Sequence, residues 1–234
     1  MKTPGLTGLI FMSVIVVFVG FGGVEQIQAE QVTDQTGNTI NFQWAFCVIR
    51  KSNGSKLEPV THDTILRSGD QIKFFLKTGD NIFAYLIYRS SQGELSALFP
   101  FRFKESTDGY DLSGSHYIPQ GDQWFELDEN LGQEKFYLLV SNRRLNDLET
   151  KINEYESADP AKKPALAANI LSQIHDLRRK YLKFKTYAER PLSIIGNMRG
   201  TEKTDAANTY DVSDFAVEIT AGTFYSRTFT IDHQ

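Results

Sequence analysis

The chain has 234 residues and a formal net charge of −4, enough for one sizeable core or a domain carrying an insertion. So mild a charge gives no reason to expect a nucleic-acid partner, which would need a basic patch. The single cysteine, Cys47, excludes an internal disulfide.

The first residues carry the parts of a secretory signal. Met1-Lys2 is followed by an apolar run from Leu6 to Val24, a polar break at Glu25-Gln26, and Ile27-Gln28-Ala29 at a plausible cut point. Residues 1–29 are therefore expected to be a signal peptide, cleaved after Ala29. The competing expectation is a retained membrane anchor over residues 6–24, because the run nears the roughly 17–25 residues that cross a bilayer. Gly20, Gly22 and Gly23 favour the cleavable form. Either form places the rest of the chain outside the cytoplasm, in the periplasm or outer envelope, with a membrane contact only if the segment is retained. Cys47 lies far from the cut point, so it is not the acylated cysteine of a lipoprotein.

Residues 30–41 are polar and read as a flexible lead-in, and residues 42–234 as one domain. From Phe42 the pattern has period two: Phe42, Trp44, Phe46 and Val48 alternate with Gln43, Ala45, Cys47 and Ile49. Cys47 is expected to be a buried thiol, with an intermolecular disulfide or a reactive thiol as the alternative. A turn at Leu66-Arg-Ser-Gly69-Asp70 leads to Gln71–Lys77, where Ile72, Phe74 and Leu76 share a face. Thr78-Gly-Asp-Asn81 has hairpin-turn chemistry and feeds Ile82–Tyr88, apolar on both faces and so expected to be a central strand. Ser90-Ser-Gln-Gly93 turns into Glu94–Phe99, which Pro100 ends for want of an amide hydrogen. Gln123–Leu127, Lys135–Val140, Phe215–Ile219 and Phe224–Ile231 complete the expected strands. The fold class is mainly β: an antiparallel β-sandwich-like domain with an inserted α-helical hairpin.

That hairpin is expected over residues 144–185. Leu145, Leu148, Ile152 and Tyr155 recur at helical spacing behind an Asn146-x-x-Glu149 box, and Asp159-Pro160 restarts a helix. Leu166, Ile170, Ile174, Leu177 and Tyr181 form its stripe. Gln173, Asp176, Arg179, Lys180 and Lys183 lie opposite. It either covers the sheet or extends the domain as a partner-binding arm. Residues 196–213 read as a long polar loop.

The motifs Leu66-x-Ser-Gly-Asp70-x-Ile-x-Phe74, Ala84-Tyr-Leu-Ile-Tyr88 and Leu98-Phe99-Pro100 stand in a recognisable order. Tyr117-Ile-Pro119, Trp124-x-x-Leu-Asp128, Gly132-x-Glu134 and the strand ending at Ser141 follow, with Phe229-x-Ile231-x-His233 at the end. In this order and spacing the chain resembles DUF4384, a bacterial family of exported or envelope-associated domains of unknown function, over residues 42–142 and the last twenty. The resemblance implies fold and location, and an accessory or sensing role, since such domains stand alone or beside kinases and caspase-like peptidases.

Candidate sites are few. The histidines His62, His116, His175 and His233 are scattered, none with a second ligand at metal spacing, so no metal site and no cofactor is expected. Asp128–Glu134 lacks the opening spacing of a calcium loop and suits a hairpin turn. No nucleophile elbow or phosphate loop occurs, and Ser68 and Ser141 have no partner recognisable in sequence. Glu126 and Asp128, two apart, would share a strand face as a carboxylate pair for hydrolysis, or simply face solvent. The aromatics Phe101, Phe103, Tyr110 and Tyr117 are the candidate binding platform for a glycan or extended peptide. The expected function is a non-enzymatic envelope binding or scaffold module with a protein or glycan partner. The alternatives are a hydrolase of an envelope polymer and a membrane-tethered structural subunit.

Overall fold

Strict alternation along β1 (Ile40–Ile49) sets the architecture: Phe42, Trp44, Phe46 and Val48 face one way into the main core, while Ala45 and Cys47 face the other. The computed structural model describes residues 39–53, 56–60, 64–100, 113–182, 187–191 and 211–234. The expected signal segment, the lead-in up to residue 38, Phe101, Phe103, Tyr110 and residues 196–210 of the polar loop lie outside the described residues. The strand begins at Ile40 rather than Phe42, because Ile40 is itself buried and pairs with Ala221.

The other strands are β2 (Leu57–Pro59), β3 (Thr64–Leu66), β4 (Gln71–Thr78), β5 (Phe83–Arg89), β6 (Leu95–Phe99), β7 (Gly114–Ile118), β8 (Phe125–Glu126), β9 (Gly132–Ser141), β10 (Tyr187–Pro191), β11 (Val217–Ala221) and β12 (Phe224–His233). They form two sheets. The first runs β10-β11-β1-β4-β7, with β2 also on β1 and β8 on β4; the second runs β3-β12-β9-β5-β6. Pairing is antiparallel except between β12 and β3. The sandwich with a helical hairpin is thus present, and its core is aromatic. Phe46 stacks on Phe74 at 3.8 Å between centroids, and Phe136 and Phe229 of the second sheet close on both at 5.2 to 6.0 Å.

Two turns expected as hairpins are crossovers instead. The Thr78–Asn81 turn carries the chain from β4 in one sheet to β5 in the other, and the segment from Asp128 to Leu131 does the same between β8 and β9. Turn chemistry fixes a local reversal but not which sheet the next strand joins. The Ser90–Gly93 turn is a true hairpin between β5 and β6.

The helices α1 (Asn146–Ser157) and α2 (Lys163–Leu182) lie between β9 and β10 and cover the outer face of the second sheet. Leu148, Ile152 and Tyr155 of α1 and Ala167, Ile170 and Ile174 of α2 bury against Tyr85, Ile87, Leu95 and Leu139. Each buried leucine or isoleucine among them contributes about 1.5–3 kcal/mol through burial. Polar pins fix the dock: the Tyr85 hydroxyl donates to Glu149 Oε1 at 2.7 Å, and Leu95 N donates to the Tyr155 hydroxyl at 2.9 Å. The expected Asn146–Glu149 cap does not form. Leu145 holds the cap position without a side-chain bond, because Glu149 is drawn to Arg144 and Tyr85. Asp159-Pro160 makes a turn, and α2 proper starts at Lys163.

Candidate functional site

Two groupings of polar and aromatic side chains stand out, one at an end of the core and one on a sheet face. The first begins at the turn after β3. Gly69 has φ +86, a conformation open to glycine, and the Lys51 side chain already lies 3.0 Å from where a Cβ would stand. Asp70 is 3% exposed, and its carboxylate accepts from Lys51 N and Arg67 N, both at 2.9 Å. Gly69 N donates to Leu127 O and Leu127 N to Asp70 O, which stitches the turn to the segment that presents Asp128. On the other side Gln234 N donates to Leu66 O, and His233 lies in register with Leu66 and Gly132. The wedge of β12 between β3 and β9 therefore brings Ser68, Asp128, Glu134 and His233 together.

The resulting distances are short. Ser68 Oγ lies 3.1 Å from His233 Nε2, and His233 Nδ1 lies 3.3 Å from Glu134 Oε1. The imidazole is 0% exposed and the Glu134 side chain 4%. Asp128 joins them from solvent, with ligand-capable atoms of Asp128, Glu134 and His233 all within 4.8 Å of one another. Burial raises the Glu134 pKa, opposed by the Tyr88 hydroxyl and His233. Tyr88 is pushed up too, by its own burial and then by the Glu134 charge. Asp128 is lowered by the bond it accepts from Asn130 N, at 2.8 Å.

The second grouping lies on the outer face of the first sheet. Lys73, 5% exposed, sets its ammonium 5.6 Å from the Tyr117 ring centroid and 5.3 Å from that of Trp124, and donates to Gly121 O. Burial lowers its pKa against the pull of Asp122 and Asp211. The Tyr117 hydroxyl donates to both carboxylate oxygens of Asp211, at 2.8 and 2.9 Å. Asp211 in turn caps the short 3-10 helix Val212–Phe215. Beneath it lie Ala45, Cys47 and Phe75. Burial, then the Asp211 charge, raises the Cys47 thiol to about 12, so this is a buried thiol held protonated.

The expected residues are distributed unevenly. Tyr117 stands in the second grouping, while Phe101, Phe103 and Tyr110 lie outside the described residues. Glu126 and Asp128 do not pair: Glu126 accepts from Gln71 Nε2 at 3.1 Å, and Asp128 turns to Asn130. His116 stacks on Phe99 and His175 is exposed on α2. The convergence of Asp128, Glu134 and His233 was not legible from spacing, since His233 is 99 residues from Glu134 and 165 from Ser68. One signal was available: Glu134 leads the inward series Phe136, Leu138, Val140, and His233 ends the inward series Phe229, Ile231. A charged residue on an otherwise apolar strand face asks for a partner.

No curated protein and no solved structure matches the chain. Residues 65–144 match the model of a domain of unknown function, DUF4384. The match runs from β3 through β9 and stops just before α1, so it contains Ser68, Asp70, Asp128 and Glu134. Residues 65–144 of this chain are a DUF4384-like domain.

Proposed function

We propose that this chain is a non-enzymatic binding module of the bacterial envelope, exported by its N-terminal segment. Its contact face is the Tyr117–Trp124 side of the first sheet. The observation that carries this reading is the pair of half-buried rings held around the Lys73 ammonium, with Asp122 and Asp211 beside it. Flat aromatic surface flanked by charges and amides is the chemistry that sugars and extended peptides meet. An envelope polymer built from both, the cell-wall peptidoglycan, is the partner that fits. Co-sedimentation of the protein with purified cell-wall sacculi tests this. The parent chain should pellet saturably, and Trp124→Ala should weaken retention on the order of tenfold, as loss of a central aromatic contact does. Equal pelleting of both proteins, or none by the parent, would count against it.

A hydrolase remains the second reading, on one observation: Ser68 Oγ, His233 and Glu134 follow one another in the atom order of a nucleophile, base and orienting carboxylate. Against it, the amides beside Ser68 are engaged. Gly69 N donates to Leu127 O and Asp70 N to Arg67 O, so neither is aimed at a developing oxyanion. A fluorophosphonate probe that labels the parent chain but not Ser68→Ala would support the hydrolase. An unlabelled parent chain would exclude an activated serine.

A further inference from the structure

One carboxylate oxygen of Glu134 is buried without closing a hydrogen bond, although the Tyr88 hydroxyl acts on the same carboxylate. Its side chain is 4% exposed; Oε1 faces His233 Nδ1, while Oε2 is buried with no hydrogen-bond partner. A carboxylate oxygen taken out of water and left bare is unfavourable unless a cation or donor meets it. That bare oxygen belongs to a residue whose neighbours, Asp128 and His233, bring their own ligand atoms within 4.8 Å. The geometry points to a site for one divalent transition-metal ion, zinc or manganese, held by Asp128, Glu134 and His233.

Three features argue for it. Ligand atoms about 2.0–2.1 Å from a tetrahedral zinc lie about 3.3 Å from one another. That is the separation of His233 Nδ1 and Glu134 Oε1, so an ion can bridge the two atoms. Metal on Nδ1 leaves the ring proton on Nε2, which points at Ser68 Oγ 3.1 Å away. An outer bond of this kind fixes the ring orientation of metal-bound histidines. One imidazole nitrogen with two carboxylates suits zinc or manganese, where copper(I) would seek sulfur and calcium an all-oxygen cage. Two ligands are buried and the third, Asp128, is exposed, which gives the ion a way in.

The proposal is independent of the aromatic face and competes with the hydrolase. A serine base needs Nε2 free of its proton, whereas a metal at Nδ1 keeps the proton there. Calorimetric titration of the chelator-treated full chain with zinc chloride, with manganese and calcium chlorides in parallel, tests it. Zinc should bind saturably and more tightly than calcium. Asp128→Asn keeps an acceptor for Asn130 N and so preserves the turn, and the metal-free melting temperature should not move. Its zinc affinity should fall on the order of tenfold or more. Ser68→Ala should weaken zinc in the same direction, by about tenfold, through the lost outer bond. Absence of saturable binding of both zinc and manganese by the parent chain, calcium binding as tight as the tighter of the two, or undiminished affinity in Asp128→Asn would each overturn the site.

Discussion

The two outer faces of the sandwich are finished differently. On the second sheet, Tyr85, Ile87, Leu95 and Leu139 are roofed by α1 and α2, and the cover is apolar, continuous and pinned by buried hydroxyls. On the first, among the described residues, Ala45, Cys47 and Phe75 are covered by the segment Asp211–Ala216 together with Tyr117 and Trp124, whose rings stay partly open around Lys73. The lesson concerns where binding can be sought. A face already filled by its own hairpin has spent its apolar surface on stability, and what α2 turns outward is charged. The other face keeps aromatic surface in reach of solvent.

This contrast can be broken by substitution, and the largest effects should come from the roofed side. Ile170→Ala removes a side chain that is 1% exposed between α2 and the sheet, and should cost about 2–5 kcal/mol in urea unfolding. A cost near zero would mean that the hairpin is not docked. Tyr85→Phe should follow at about 1–3 kcal/mol. It strips the hydroxyl that donates to Glu149 and receives Leu145 N at 2.9 Å, leaving Leu145 N without this acceptor and Glu149 to Arg144.

The open side offers a pH test. Folding raises the Cys47 thiol from 9.0 to about 12. A raised pKa means that the folded state disfavours the thiolate. The associated stability is complete below pH 9.0 and is lost as pH climbs from there toward about 12. The difference in melting temperature between the parent chain and Cys47→Ala should therefore shift against the parent through that window. A difference independent of pH would show that the thiol is not shielded beneath Asp211 and Val212. The smallest effect belongs to the outward side of α2. Asp176→Ala breaks an ion pair with Arg179, both more than half exposed, and should change stability by no more than about 0.5 kcal/mol.

Much of this architecture is legible in the residues. Period two along Phe42–Val48 and Ile72–Leu76 identifies the inner faces, and the spacing of Leu148, Ile152, Ile170 and Ile174 identifies the helices and the face they bury. Ile82–Tyr88, apolar on both sides, lies where such a strand must, between the sandwich core and the hairpin. The short strands β2, β3, β7 and β10 escape notice because three to five residues show too little periodicity. The turns at Thr78–Asn81 and Asp128–Leu131 mislead because they signal reversal, not sheet membership. The Ser68–His233–Glu134 grouping is invisible for a different reason. It exists only because β12 returns from the far end of the chain to lie between β3 and β9, and that register is set by tertiary packing. The Asn146–Glu149 box fails as a cap for the same kind of reason, a long-range pull from Tyr85 outweighing a local motif.

The central claim is that the first sheet's outer face binds and the hairpin supports. It is tested most directly by co-sedimentation of two variants with cell-wall sacculi, side by side: Trp124→Ala, and a hairpin-surface double variant, Asp176→Ala with Arg179→Ala. The account predicts that Trp124→Ala loses retention on the order of tenfold while the hairpin variant pellets like the parent. Retention kept by Trp124→Ala and lost by the hairpin variant would contradict it and make the helical hairpin the binding element.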